Sequence, residues 1–204
     1  MRTTVASLFG LTLLLLTSAL WAASKESVSF SADVTRFQAD RKTSTTGKLF
    51  VGPDGVRSES IHEGTAITLI HKLAQKTVLT LLPGQKSYTE RTGVEVSRPP
   101  LPDEPGSPCR TNKAFLCRQI GAETFHGRSV VHWAIAIREE NREIPHAHLW
   151  VDSRLQMAIR EQYPDGLSME LSNIKEGKQD PQLFEIPSEY KKITVSEASP
   201  TATQ

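Results

Sequence analysis

The sequence predicts a mainly β protein: a single curved antiparallel sheet or unclosed barrel of about ten strands, with little helix. Three observations carry this. Apolar residues recur with period two in short runs between Val28 and Leu171, the pattern of strands with one buried face. Gly, Pro and Asp cluster between the runs, where tight reversals need them. No 3.6-residue periodicity separates the runs, so a parallel βαβ architecture is disfavoured and a hairpin meander is favoured.

The elements follow in chain order. Val28, Phe30, Ala32 and Val34 alternate with Ser29, Ser31, Asp33 and Thr35, a half-buried strand. Residues 47–51 and 55–61 flank Gly52-Pro53-Asp54-Gly55, a hairpin turn. Ala66 to His71 and Thr77 to Leu82 are rich in β-branched residues, and Pro83-Gly84 turns the chain into Lys86 to Glu90. Strands resume at Val131 to Arg138, continue through Ala147 to Asp152, and turn at Ser153-Arg154 into Leu155, Met157 and Ile159. The last run, Leu167, Met169 and Leu171, follows the Pro164-Asp165-Gly166 turn.

Composition narrows the class. The chain has 204 residues, with 24 Lys+Arg against 23 Asp+Glu, so no basic excess exists to hold nucleic acid. Residues 1–23 read as a cleaved signal peptide: Arg2, then an apolar run from Leu8 to Leu16, then small residues up to Ala22-Ala23. The run is too short for a transmembrane helix, which needs about 20 apolar residues, and polar Ser24-Lys25-Glu26 follows at once. No Cys lies near the cleavage point to accept a lipid anchor. The expected location is therefore the periplasm, with no membrane span in the mature protein. Residues 24–195 are expected to form one domain and 196–204 a flexible tail.

Export bears on Cys109 and Cys117. Two thiols in an oxidising compartment are read as a disulfide closing a small loop, worth roughly 2.5 kcal/mol on the chain-entropy model. They lack the Cys-x-x-Cys spacing of a redox-active pair. Just before them, residues 98–108 hold five of the twelve prolines, which cannot donate to a ladder, so this stretch is expected as a long surface loop tied down by the clip.

The order of several short motifs carries a resemblance: Gly47-Lys48-Leu49-Phe50-Val51 with Gly55-Val56-Arg57-Ser58-Glu59, Leu82-Pro83-Gly84-Gln85-Lys86-Ser87-Tyr88, Gly121-Ala122-Glu123-Thr124 with Gly127-Arg128 and Trp133, and Phe184-Glu185-Ile186-Pro187 with Tyr190. In these the chain resembles uncharacterised bacterial periplasmic domains similar to the outer-membrane lipoprotein carrier (LolA/LolB-like) superfamily. The resemblance implies an unclosed barrel wrapped on a lid, with an apolar concavity that accepts acyl chains in the carriers. The carriers open with an amphipathic helix, whereas Ser27 onward is already strand here. A helical lid is therefore expected only from about Asn112 to Ile120, or not at all.

A half-barrel of this kind can hold a lipid through burial alone, at about 0.8 kcal/mol per CH₂. The candidate lining is Phe30, Val34, Leu49, Val51, Ile67, Leu69, Val131, Trp133, Ile135, Leu155, Met157, Leu167 and Met169. The same alternation is what a filled core would show. Among polar residues, His146 and His148 stand two apart, which on a regular strand directs both imidazoles to one side with Glu143 in reach. Two ligands make a weak metal site, and no metal or cofactor is expected. His62, His71, His126 and His132 are scattered. No Gly-x-Ser-x-Gly elbow occurs, and Ser129 between His126 and His132 does not make a triad, so an enzyme is not expected. Arg57 and Glu59 share a strand face, as a surface ion pair or a head-group anchor. The expected function is non-enzymatic binding of an apolar or amphipathic ligand, either a lipid or the acyl chain of a lipoprotein. The alternative is a protein-interaction or sensor domain that docks an envelope protein on a fully packed sheet.

Overall fold

The computed structural model describes residues 28–40, 42–94, 108–109, 114–140 and 142–194. The expected signal peptide, the tail at 196–204 and all but the end of the proline-rich stretch lie outside these residues.

One unclosed sheet of twelve strands contains all the strands described. At its centre is β1 (Phe30–Phe37), which pairs antiparallel with β2 (Ser44–Gly52) on one side and with β11 (Ser168–Glu176) on the other. From β2 the first wing runs outward through β3 (Gly55–His62), β4 (Thr65–Lys72), β5 (Thr77–Leu82) and β6 (Ser87–Thr92) as consecutive hairpins. Residues 93–114 join β6 to β7 (Phe115–Phe125), which is the free edge of the second wing. The second wing returns to the centre through β8 (Arg128–Glu139), β9 (Arg142–Asp152) and β10 (Met157–Gln162) to β11. Beyond a 3₁₀ turn at Pro181–Phe184, the two-residue β12 (Lys191–Lys192) adds in parallel to β6 and forms the opposite edge.

Two strands exceed the sequence expectation. The candidate helical lid, about Asn112 to Ile120, is strand from Phe115 onward, the start of β7. This edge strand is solvated on both faces for much of its length and carries an irregularity between Gln119 and Gly121, so it shows no alternation to read. β12 is too short to leave a periodic signal.

Period-two alternation sets the packing. On the inner face, Phe30, Ala32 and Val34 of β1 meet Val51 and Val56 from the first wing and Val130, Trp150, Leu155, Met157, Ile159 and Leu171 from the second, all buried. The opposite face carries two separate clusters. Ile70, Leu79 and Leu81 are capped by Phe184, which the 3₁₀ turn inserts at 1% exposure. Gly52 is what admits that ring: a Cβ there would stand 3.0 Å from it. Farther along, Trp133, Ile135, Ala147, Leu149, Val151 and Ala158 pack with Phe115, Tyr163 and the disulfide-bonded Cys109 and Cys117.

Ion pairs tie these layers together. Arg57 donates to Glu59 at 2.8 Å and to the Leu183 carbonyl at 2.9 Å. It therefore braces the Phe184 turn, outside the inner face where a head-group anchor would have to stand. Asp152, 3% exposed, accepts from Arg128 and from the backbone amides of Arg154 (2.8 Å) and Leu155 (3.1 Å), while Glu176 bridges Arg128 (2.7 Å) and Arg154 (2.6 Å). Burial pulls the Arg128 guanidinium down, but the two carboxylates outweigh it and hold its pKa above the ordinary value.

Candidate functional site

A cavity of about 890 Å³ lies in the second wing, within the range of small-molecule pockets. Its apolar lining is Leu116, Cys117, Ala134, Ile135, Ala136, Pro145, Ala147 and Pro164. Small side chains at Ala134, Ala136, Ala147 and Gly166 leave space that larger residues would fill. Arg118 and Glu143, paired at 3.5 Å and both well exposed, also belong to the lining. His132, His148, Trp150, Gln162 and Tyr163 supply the remaining polar and aromatic wall.

Hairpin register explains how that wall forms. In the β8–β9 pairing His132 lies opposite Trp150, and Ala134 opposite His148, so the two imidazoles are diagonal neighbours on one face. His132 Nε2 and His148 Nδ1 are 2.9 Å apart. On its other side His132 Nδ1 meets Glu123 Oε1 of β7 at 2.9 Å, and the second oxygen of Glu123 accepts the Trp150 indole N–H at 2.9 Å. That indole bond, with His132 beside it, holds the Glu123 carboxyl below the usual carboxylate range. The Arg160 guanidinium covers the Trp150 ring at 4.5 Å and the Phe125 ring at 5.4 Å. Its Nε is buried without a hydrogen bond, the Glu170 carboxylate standing 3.6 Å away. Tyr163 donates to Glu161 at 2.8 Å; burial first, and then that carboxylate, push its pKa up to about 12.

The His146–His148 expectation requires correction. The β8–β9 ladder passes from Ile135 opposite Ala147 to Ala136 opposite Pro145, leaving His146 as the extra residue of a bulge. Alternation is broken there. His148 joins His132, whereas the His146 ring lies 5.1 Å from Phe115 and 6.1 Å from Tyr163, residues of the opposite-face cluster. The two imidazoles do not converge, and no cluster of three or more metal-ligating side chains occurs among the described residues. His126 packs on Phe125 and His132 is engaged by Glu123 and His148, so Ser129 is joined to neither.

The thirteen apolar residues read as a lining are divided among several places. Phe30, Val34, Val51, Leu155 and Met157 are buried in the inner-face cluster, with Leu49 and Met169 packed against it. Trp133 and Ile135, with Val131 alongside, belong to the opposite-face cluster, and Ile135 also borders the cavity. Ile67 and Leu69 are half-buried on β4, and Leu167 is 39% exposed. The cavity is instead framed by the alanines and histidines of β8 and β9. Hairpin geometry alone would not have found the pair: the register at Glu139–Arg142 carried on without a bulge would set His132 opposite Leu149, and it is the extra residue His146 that returns His148 to the face of His132.

The fold defines a class, the unclosed LolA-like half-barrel. Two solved structures share that architecture. An uncharacterized conserved protein from Thermus thermophilus superposes with a TM-score of 0.53 at 13% identity, over 83% of this chain and 91% of that one. A chain of the Pseudomonas aeruginosa MucA/MucB complex superposes with a TM-score of 0.50 at 14% identity, over 84% of this chain and 60% of that one. The present chain thus spans about three-fifths of the latter. No family model matches the sequence, and no curated protein does.

Proposed function

We propose that this protein is a non-enzymatic binding module of the cell envelope that holds an amphipathic ligand, a lipid or an acylated protein, in the cavity of its second wing. The observation that carries this reading is the 890 Å³ space whose lining includes the small side chains Ala134, Ala136 and Ala147 together with the His132–His148 pair. An alkyl chain gains about 0.8 kcal/mol for each CH₂ removed from water on such a wall, while the imidazoles and the Arg118–Glu143 pair meet the polar end. A disulfide between Cys109 and Cys117 supports residence in an oxidising compartment, consistent with the leader-like residues 1–23.

A second reading, docking of a protein, is favoured by one observation. Among the described residues the eleven-residue β7 is paired on one side only, and its Ile120 is 54% exposed, which suits strand addition by a partner. The matched Pseudomonas aeruginosa chain was solved as a MucA/MucB complex. Native mass spectrometry of protein purified from the cell envelope separates the two. A stoichiometric amphiphile supports the first reading; empty protein that also takes up no added amphiphile overturns it.

A further inference from the structure

We infer that the ligand's polar end is a carboxylic acid, and that it sits on His148 Nε2 and enters together with one proton. This rests on the amphiphile-binding reading and adds its head-group chemistry. The hydrogen-bond pattern carries the inference. Glu123 is a carboxylate and can only accept; Trp150 donates to one of its oxygens, so His132 Nδ1 donates its N–H to the other. A neutral His132 then has only a lone pair on Nε2, and His148 Nδ1 must donate across the 2.9 Å contact. The outcome is a bare acceptor at His148 Nε2, on an exposed residue that lines the cavity.

That acceptor is suited to an acid. A carboxylic O–H can donate to Nε2, or pass its proton to it; in the second case the positive charge is relayed through His132 to the Glu123 carboxylate, which already stands ready as counter-ion. The pair cannot take two protons, because two N–H groups would then oppose each other at 2.9 Å. Of the other titratable groups nearby, Arg118 and Glu143 pair with each other, Arg160 lies over Trp150 and toward Glu170, and Tyr163 donates its O–H to Glu161. The histidine pair is therefore the group in the cavity wall with room for one proton.

Decanoate and decanol, equal in chain length, test this on the full chain. Calorimetry in buffers of different ionisation heat should count about one proton taken up with each decanoate and none with decanol. Because each decanoate enters with one proton, its affinity should fall as the pH rises above 7, by up to about tenfold per pH unit, while that of decanol should not. His148→Gln should abolish the proton uptake and the pH dependence, whereas His62→Gln, at the end of β3 in the other wing, should preserve both. Decanoate binding without proton uptake, or a pH dependence that survives His148→Gln, overturns the inference and leaves amphiphile binding intact. If neither compound binds, the amphiphile reading fails and the inference with it.

Discussion

The imidazole of His132 lies flat on the indole of Trp150, with centroids 4.1 Å apart and planes 14° from parallel. Both rings are also tied to the same carboxylate, Glu123, one through each oxygen. An edge-strand acid thus fixes the orientation of two aromatic groups on the neighbouring hairpin, and anything that removes its charge should release both.

Acid is the simplest such perturbation. The folded Glu123 carboxyl titrates below its ordinary value of 4.5, so its stabilising contribution is fully present above that pH and is lost as the pH falls through the lowered value. Glu123→Gln should flatten the acid limb of the Tm-against-pH curve below about pH 5 and red-shift the Trp150 emission at neutral pH. A Tm curve parallel to the wild type's would refute the assignment.

Filling the cavity should separate binding from folding. Ala134→Leu places a larger side chain beside His148 in the β8–β9 ladder, where open space rather than packed core receives it. Amphiphile uptake, read by native mass spectrometry, should drop at least about tenfold while the unfolding midpoint stays within roughly 1 kcal/mol of wild type.

Reducing the Cys109–Cys117 bridge acts on the unfolded chain. It should destabilise the protein by about 2.5 kcal/mol, measured as a shift in urea midpoint with and without reductant. Because Cys117 also borders the cavity, ligand uptake should weaken in parallel. Unchanged uptake in the reduced, folded protein would show that the clip plays no part in shaping the site.

Phe184→Ala should cost about 3–5 kcal/mol, the range for emptying a buried aromatic site. The loss should be uneven. Phe184 caps Ile70, Leu79 and Leu81, so amide exchange should accelerate first in β4 and β5, with the second wing still protected.

Much of the architecture was legible in the sequence because turn chemistry and alternation agreed. Gly52-Pro53-Asp54-Gly55 and the apolar residues around it led directly to β2 and β3, and the same held for β4, β5, β8, β10 and β11. The site was less legible. Alternation reports which face of a strand is apolar, but it does not distinguish Phe30, packed to full burial, from Ile135, which borders open space. Pro145 held the missed clue. A residue without an N–H inside a strand marks a bulge, and that bulge sends His146 and His148 to different surroundings. The partnership of Glu123 with His132 required knowing that β7 existed, and an edge strand solvated on both faces has no periodic pattern to disclose it.

The central position of β1 has a consequence for how the molecule assembles. Its two neighbours are β2, which follows within a few residues, and β11, late in the chain, whose Glu176 lies opposite Phe30. During synthesis the first wing can zip up from local hairpins, yet one side of β1 stays unpaired until the last hairpins have formed and returned. That closing step carries the long-range loop entropy of the fold, so it should be slow. While it lasts, the nascent chain presents an open, apolar strand edge, and this is the interval in which it most needs protection from aggregation.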